Sequence, residues 1–137
     1  DAIVITEAAE LHEPGPRIVY VNDAFTQMSG YAFSEVIGRS PRFLQGPATE
    51  SVELKKMSES LQKGEACELT LVNYKKNGEE FWNNFSISPV MDVSGKVSHF
   101  IAIERDVTDR KNKEQQQLLL ASVSKIFNED LSFHGSL

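Results

Sequence analysis

Three runs in the second half of the chain alternate apolar and polar residues with a period of two: CELTLVNY at 67–74, EFWNNFSISPV at 80–90 and KVSHFIAIERDV at 96–107. They are joined by KKNG and MDVSG, and Asn77-Gly78 is the strongest short-range hairpin signal a sequence can carry, with Ser94-Gly95 serving the second turn. An antiparallel sheet is therefore fixed early in the reading. Upstream, IVIT at 3–6 and RIVYV at 17–21 are two further β-rich runs, separated by ELHEPGPR, whose prolines and glycine mark an exposed connection. Asn22 stands as an N-cap before DAFTQMSGY, with Phe25, Met28 and Tyr31 at helical spacing and Gly30 placed as the stop. Residues 32–48 are broken by Gly38, Pro41, Gly46 and Pro47 and hold only brief helical turns. Residues 50–63 form an amphipathic helix with Val52, Leu54, Met57 and Leu61 on one face. The expected fold is α+β, a five-stranded antiparallel sheet with helices on one face.

After a polar DRKNKEQQQ entry, Leu118, Leu119, Leu120, Val123, Ile126, Phe127 and Leu131 follow a helical pattern, which predicts an appended C-terminal amphipathic helix. The expected organisation is one domain over 1–108 and a helical linker over 109–137. The chain lacks an initiating Met and stops within that helical pattern, which suggests a segment of a longer protein whose C-terminal effector domain lies elsewhere. A net charge of -6 speaks against a direct nucleic-acid surface. No run reaches the length of a membrane span, and the start has no signal-peptide pattern. The one cysteine, Cys67, excludes an internal disulfide and fits a cytoplasmic setting. His12, His99 and His134 are scattered, so no metal site or nucleophilic triad is expected, and the segment is read as non-enzymatic.

Several motifs occur together: VYVNDAF, SGY, RFLQGP, LVNYKKNGEEFWN, SPVMD and FIAIERDVTDRK. In this combination the chain resembles a LOV domain of the flavin-binding PAS superfamily over residues 3–110. The resemblance implies a noncovalently held flavin, FMN by expectation, with FAD or riboflavin as alternatives. Carried over by position, Asn73 and Asn83 would bond the pyrimidine edge, Gln45 the ribityl chain or ring edge, and Arg42 the phosphate. Leu44, Leu71, Phe85 and Phe100 would cover the ring faces, with Val4 and Thr6 beside them on the first strand. Strand parity agrees, since Leu69, Leu71 and Asn73 share one face of their strand and Asn83, Phe85 and Ile87 one face of the next. Each face is apolar with a single amide, and an amide offers both a donor and an acceptor to a ring edge that presents both.

The departures carry the mechanism. Where the resemblance implies the cysteine that bonds to the excited flavin, this chain has Pro41, so the adduct position is lost while a helix-starting residue is kept. Glu104 stands where a glutamine is implied against flavin N5 and O4. A carboxyl cannot exchange donor and acceptor as an amide does, but it can give a proton, and desolvation would favour its protonated form. Ser40 replaces an asparagine beside the ribityl chain. Ser58 falls where a second phosphate-binding arginine is implied, with Lys55 or Lys56 as substitutes. Trp82 has outward parity, and it and Tyr20, Tyr31 and Tyr74 are candidate electron donors. Two function classes result. One is a blue-light or redox sensory module working by electron and proton transfer without a cysteinyl bond. The other is a PAS dimerisation or coupling module without a cofactor. A homodimer through the C-terminal helix and the outer sheet face is expected in either case.

Overall fold

A computed structural model describes residues 1–8 and 15–135, with side chains through residue 131. Two compact units divide the chain, Asp1–Asp106 and Val107–Leu137. The first is a five-stranded antiparallel sheet in the order β2-β1-β5-β4-β3, with β1 Ala2–Glu7, β2 Ile18–Val21, β3 Cys67–Tyr74, β4 Glu80–Met91 and β5 Val97–Asp106. All five strands fall on the runs predicted from sequence, the last three on those with period-two alternation. Residues 9–14, with His12 and most of the connection between the first two strands, lie outside the described residues, as does the side chain of His134.

Both predicted hairpins form, and each is held by a side chain as well as by its glycine. In the first, Gly78 takes φ 88° and Asn77 Oδ1 accepts from the Glu79 amide at 2.9 Å, which brings Tyr74 opposite Glu80. In the second, Gly95 takes φ 83° while Asp92 Oδ1 accepts from the amides of Ser94 and Lys96 and from the Ser94 hydroxyl. These bonds hold the Asp92 carboxyl below the usual carboxylate range, the Ser94 hydroxyl contributing most. The Asp92 side chain thus adds to the Ser94-Gly95 pair expected to make this turn.

Asn22 caps α1 (Asp23–Ser29) by accepting from the Phe25 amide, and the same Oδ1 accepts from Ile3 N at 2.9 Å. One side chain thus starts the helix and fastens it to β1. A short turn α2 (Phe33–Val36) follows, then a tight helical turn Pro41–Leu44 opened by Ser40, whose hydroxyl accepts from Arg42 N. Helix α3 (Ser51–Gln62) packs over the sheet through Leu54, Met57 and Leu61. Val52, expected on that face, is 62% exposed: it lies in the first turn, where the helix has not yet reached the apolar cluster.

The core has two parts. Ala2, Val4, Ile18, Val21, Phe25, Val36 and Leu44 form one, and Leu69, Leu71, Phe85, Ile87 and Phe100 the other. Two separate clusters leave a gap between them, and that gap is the site. The second unit is the helix α4 (Thr108–Gly135), on which Leu118, Leu119, Leu120, Val123, Ile126, Phe127 and Leu131 are all exposed. Among the described residues, no helix is long and apolar enough to cross a membrane.

Candidate functional site

A cavity opens between the inner face of the sheet and the layer of helices and turns. Its floor is the inward parity of four strands: Val4 and Thr6 from β1, Phe100, Ala102 and Glu104 from β5, Phe85 and Ile87 from β4, Leu71 and Asn73 from β3. Its opposite wall is Ser40, Pro41, Arg42, Leu44 and Gln45 from the tight turn, Met57, Ser58 and Leu61 from α3, and Pro16. Apolar surfaces face each other across the gap and polar groups gather at its ends, the arrangement that holds a flat aromatic ligand with a polar edge.

The polar groups on the sheet are linked. In the β3–β4 register Leu71 lies opposite Asn83 and in the β4–β5 register Phe85 lies opposite Glu104, so Asn73, Asn83 and Glu104 are diagonal neighbours on one face. Asn83 is fully buried, and its Nδ2 donates to Asn73 Oδ1 at 3.0 Å and to Glu104 Oε1 at 2.7 Å. Asn73 Nδ2 donates to the Val72 carbonyl. Both protons of the Asn83 amide are used, yet Asn83 Oδ1 is buried without a hydrogen-bond partner. A buried acceptor left unpaired costs on the order of 1–3 kcal/mol. It marks the place where a ligand donor is wanted.

Glu104 is 6% exposed, and desolvation pushes its carboxyl up to about 7, against the opposing effect of the Asn83 hydrogen bond. Oε1 accepts from Asn83, so in the protonated form of the carboxyl Oε2 is the oxygen left to carry the proton. The loop after the tight turn is fastened to β3. Gly46 lies so close to the Tyr74 ring that a Cβ there would sit 2.3 Å from its Cε2. The Tyr74 hydroxyl accepts from Ala48 N at 2.9 Å, and Thr49 Oγ1 donates to the Val72 carbonyl at 2.6 Å.

Most residues singled out from sequence meet here: Val4, Thr6, Ser40, Pro41, Arg42, Leu44, Gln45, Leu71, Asn73, Phe85, Phe100 and Glu104 line the cavity, and Asn83 stands directly behind Asn73 and Glu104. Lys56 is a correction. Its ammonium pairs with Glu53 at 3.3 Å and its side chain is 68% exposed, because the phase of α3 turns Met57, Ser58 and Leu61 toward the cavity instead. Ile87 and Ala102 share the inward strand parity of Phe85 and Phe100, and Met57 and Leu61 lie on the apolar face of the helix expected over 50–63. Pro16 had no signal. Trp82, opposite Val72 in register, has the parity opposite to Asn83 and does not line the cavity.

Residues 1–109 match the family model described as the PAS domain, and the chain belongs to that family. Within it the chain is a light-oxygen-voltage (LOV) sensory domain, homologous to blue-light photoreceptors. It is 34% identical to the solved LOV domain from the Erythrobacter litoralis EL346 blue-light activated histidine kinase, with a TM-score of 0.72 over 78% of this chain and 95% of that one. A structure described as an RNA-binding Light-Oxygen-Voltage receptor aligns at 35% identity and a TM-score of 0.81, over 93% of this chain and 35% of that one. Among curated proteins, the blue-light-activated histidine kinase of Brucella anthropi is 40% identical over 95 residues, 69% of this chain and 19% of the kinase. The chain spans about a fifth or less of the curated relatives it matches.

Proposed function

We propose that this domain senses blue light or redox state through a noncovalently held flavin and works by electron and proton transfer, within a larger signalling protein that carries the output. The observation that carries this reading is Asn83 Oδ1, beside the cavity-lining Asn73 and Glu104, which is the buried side-chain acceptor without a partner among the described residues. A flavin supplies blue absorption and reversible electron uptake when bound.

The chain's own residues account for the rest. Leu44, Leu71, Phe85 and Phe100 exclude water from both faces of the slot. Asn83 Oδ1 and Asn73 receive the pyrimidine edge, and Arg42 with Ser40 and Gln45 takes the ribityl phosphate, so FMN is the smallest flavin that satisfies all of these groups. Glu104 Oε2 holds a proton beside the cavity near neutral pH, the pKa match a general acid needs. Pro41 brings no sulfur to the cavity wall. Trp82 and the tyrosines remain the candidate electron donors. A cofactor-free coupling module is disfavoured, because nothing in such a role needs a buried acceptor left open.

The test is spectroscopic. The purified chain is expected to be yellow, with the structured blue band of a buried oxidised flavin, and blue light should not convert it to a species absorbing only in the near ultraviolet. Pro41→Cys is expected to bleach the blue band reversibly under the same light. A colourless protein that takes up no added flavin would refute the reading.

The exposed stripe on α4 supports a homodimer, with two copies pairing through this helix and the outer sheet face. The net charge of -6 speaks against nucleic acid as the direct partner of this segment. Light scattering should give a dimeric mass for the full chain and a monomeric mass after truncation behind Arg110. A truncated chain that stays dimeric would show that α4 is not the cause.

A further inference from the structure

The hydroxyl of Tyr74 is oriented from two sides. Ala48 N donates to it at 2.9 Å, and its own single proton goes to Glu80 Oε1 at 3.0 Å. The pairing follows from strand register, since Tyr74 of β3 lies opposite Glu80 of β4 where the hairpin closes. The ring is fixed as well, because Gly46 lies against it so closely that a Cβ there would sit 2.3 Å from Cε2. Gly46 follows Gln45 and Tyr74 follows Asn73, and both Gln45 and Asn73 line the cavity. The phenol therefore stands one residue behind the cavity wall along two stretches of backbone.

A phenol bonded to a carboxylate is a better reductant than a phenol without a base. Loss of an electron makes the phenolic proton strongly acidic, and an oxidation that must retain that proton is steeply uphill. With a base already holding the proton in a hydrogen bond, the proton crosses as the electron leaves and the product is a neutral radical. The three tyrosines differ in this respect. Tyr31 packs edge-on to Phe43 with ring centroids 4.9 Å apart, and Tyr20 is 44% exposed. Among the described residues, Tyr74 is the tyrosine whose hydroxyl meets a carboxylate.

We propose that Tyr74 is the electron donor of this domain and Glu80 the base that receives its proton. One electron passes from the Tyr74 ring to the photoexcited oxidised flavin, the O–H bond of Tyr74 breaks, and an O–H bond forms on Glu80 Oε1. Tyr74 is left as a neutral radical, Glu80 as a carboxylic acid, and the flavin reduced by one electron. Return of the electron and the proton restores all three. The assignment rests on the flavin reading and chooses among the donors which that reading leaves open.

The experiment follows the radical. With Tyr20→Phe and Tyr31→Phe in place, Tyr74 is the one tyrosine of the chain. The flavin-loaded full chain, frozen under blue light, should then show the paramagnetic resonance spectrum of a tyrosyl radical. In the chain with all three tyrosines, Tyr74→Phe should abolish that spectrum. Glu80→Gln keeps an acceptor oxygen at the same reach but is no base, so radical formation should slow on the order of a hundredfold and lose its dependence on deuterium oxide. A second arm needs no flavin: photo-oxidised ruthenium tris-bipyridine should oxidise Tyr74 of the stripped chain faster than in its Glu80→Gln variant. A tryptophanyl radical in place of the tyrosyl one, or equal rates with and without the Glu80 carboxylate in either arm, would overturn the proposal. A chain that takes up no flavin would remove the flavin reading and this step with it. Flavin uptake and photoreduction without a radical on Tyr74 would remove this step alone.

Discussion

Asn83→Leu is expected to lower flavin affinity about a hundredfold, equivalent to roughly 2.7 kcal/mol. The substitution keeps the side-chain volume close to the original and deletes the only buried side-chain acceptor without a partner among the described residues. It also withdraws the donor that Asn73 Oδ1 and Glu104 Oε1 share. Circular dichroism should report an intact fold, since β4 keeps its ladders to β3 and β5 on both sides. Normal flavin uptake by a folded Asn83→Leu chain would mean that the ring edge does not reach this amide.

The second large effect concerns pH. Burial raises the Glu104 carboxyl from its ordinary 4.5 to about 7, so the folded, ligand-free chain binds a proton more tightly than the unfolded chain does. Between those values the native state holds the extra proton, and stability must fall as pH rises. The contribution is fully present below 4.5 and lost above about 7, a change of about 3 kcal/mol. Glu104→Gln, which cannot titrate, should remove this slope. Glu35 and Asp92 act with the opposite sign: their lowered pKa values give stability that is lost as pH falls, and both proteins share them. Urea unfolding of wild type and variant from pH 4.5 to 8 isolates the difference. Parallel curves would place Glu104 in water rather than in the cavity.

How far the sequence revealed this site depended on which regularity placed each residue. Period-two alternation put Leu71, Asn73, Asn83, Phe85, Phe100 and Glu104 on one face, because a pleated strand allows no other arrangement. The Asn77-Gly78 turn even fixed the register that makes Asn73 and Asn83 diagonal neighbours. Helix phase was less decisive. Lys56 and Ser58, two residues apart, point to nearly opposite sides of the helix, and which of the two sides meets the cavity is set by packing against the sheet. Pro16 was not legible at all, since it is carried into the wall by the chain's path into β2 rather than by any periodicity.

The fastening of the loop at 46–49 to β3 has a consequence for how the sheet meets other chains. β3 is an edge strand, and a bare edge is a template on which a foreign strand can extend the ladder. Here Thr49 takes the Val72 carbonyl, the Tyr74 hydroxyl takes the Ala48 amide, and Gly46 lies flush against the Tyr74 ring. The segment that closes one end of the cavity therefore also acts as a selvedge. It denies an incoming strand its first hydrogen bonds along this margin, and steers association away from sheet extension toward side-chain contacts that can be made and broken without rewriting the ladder.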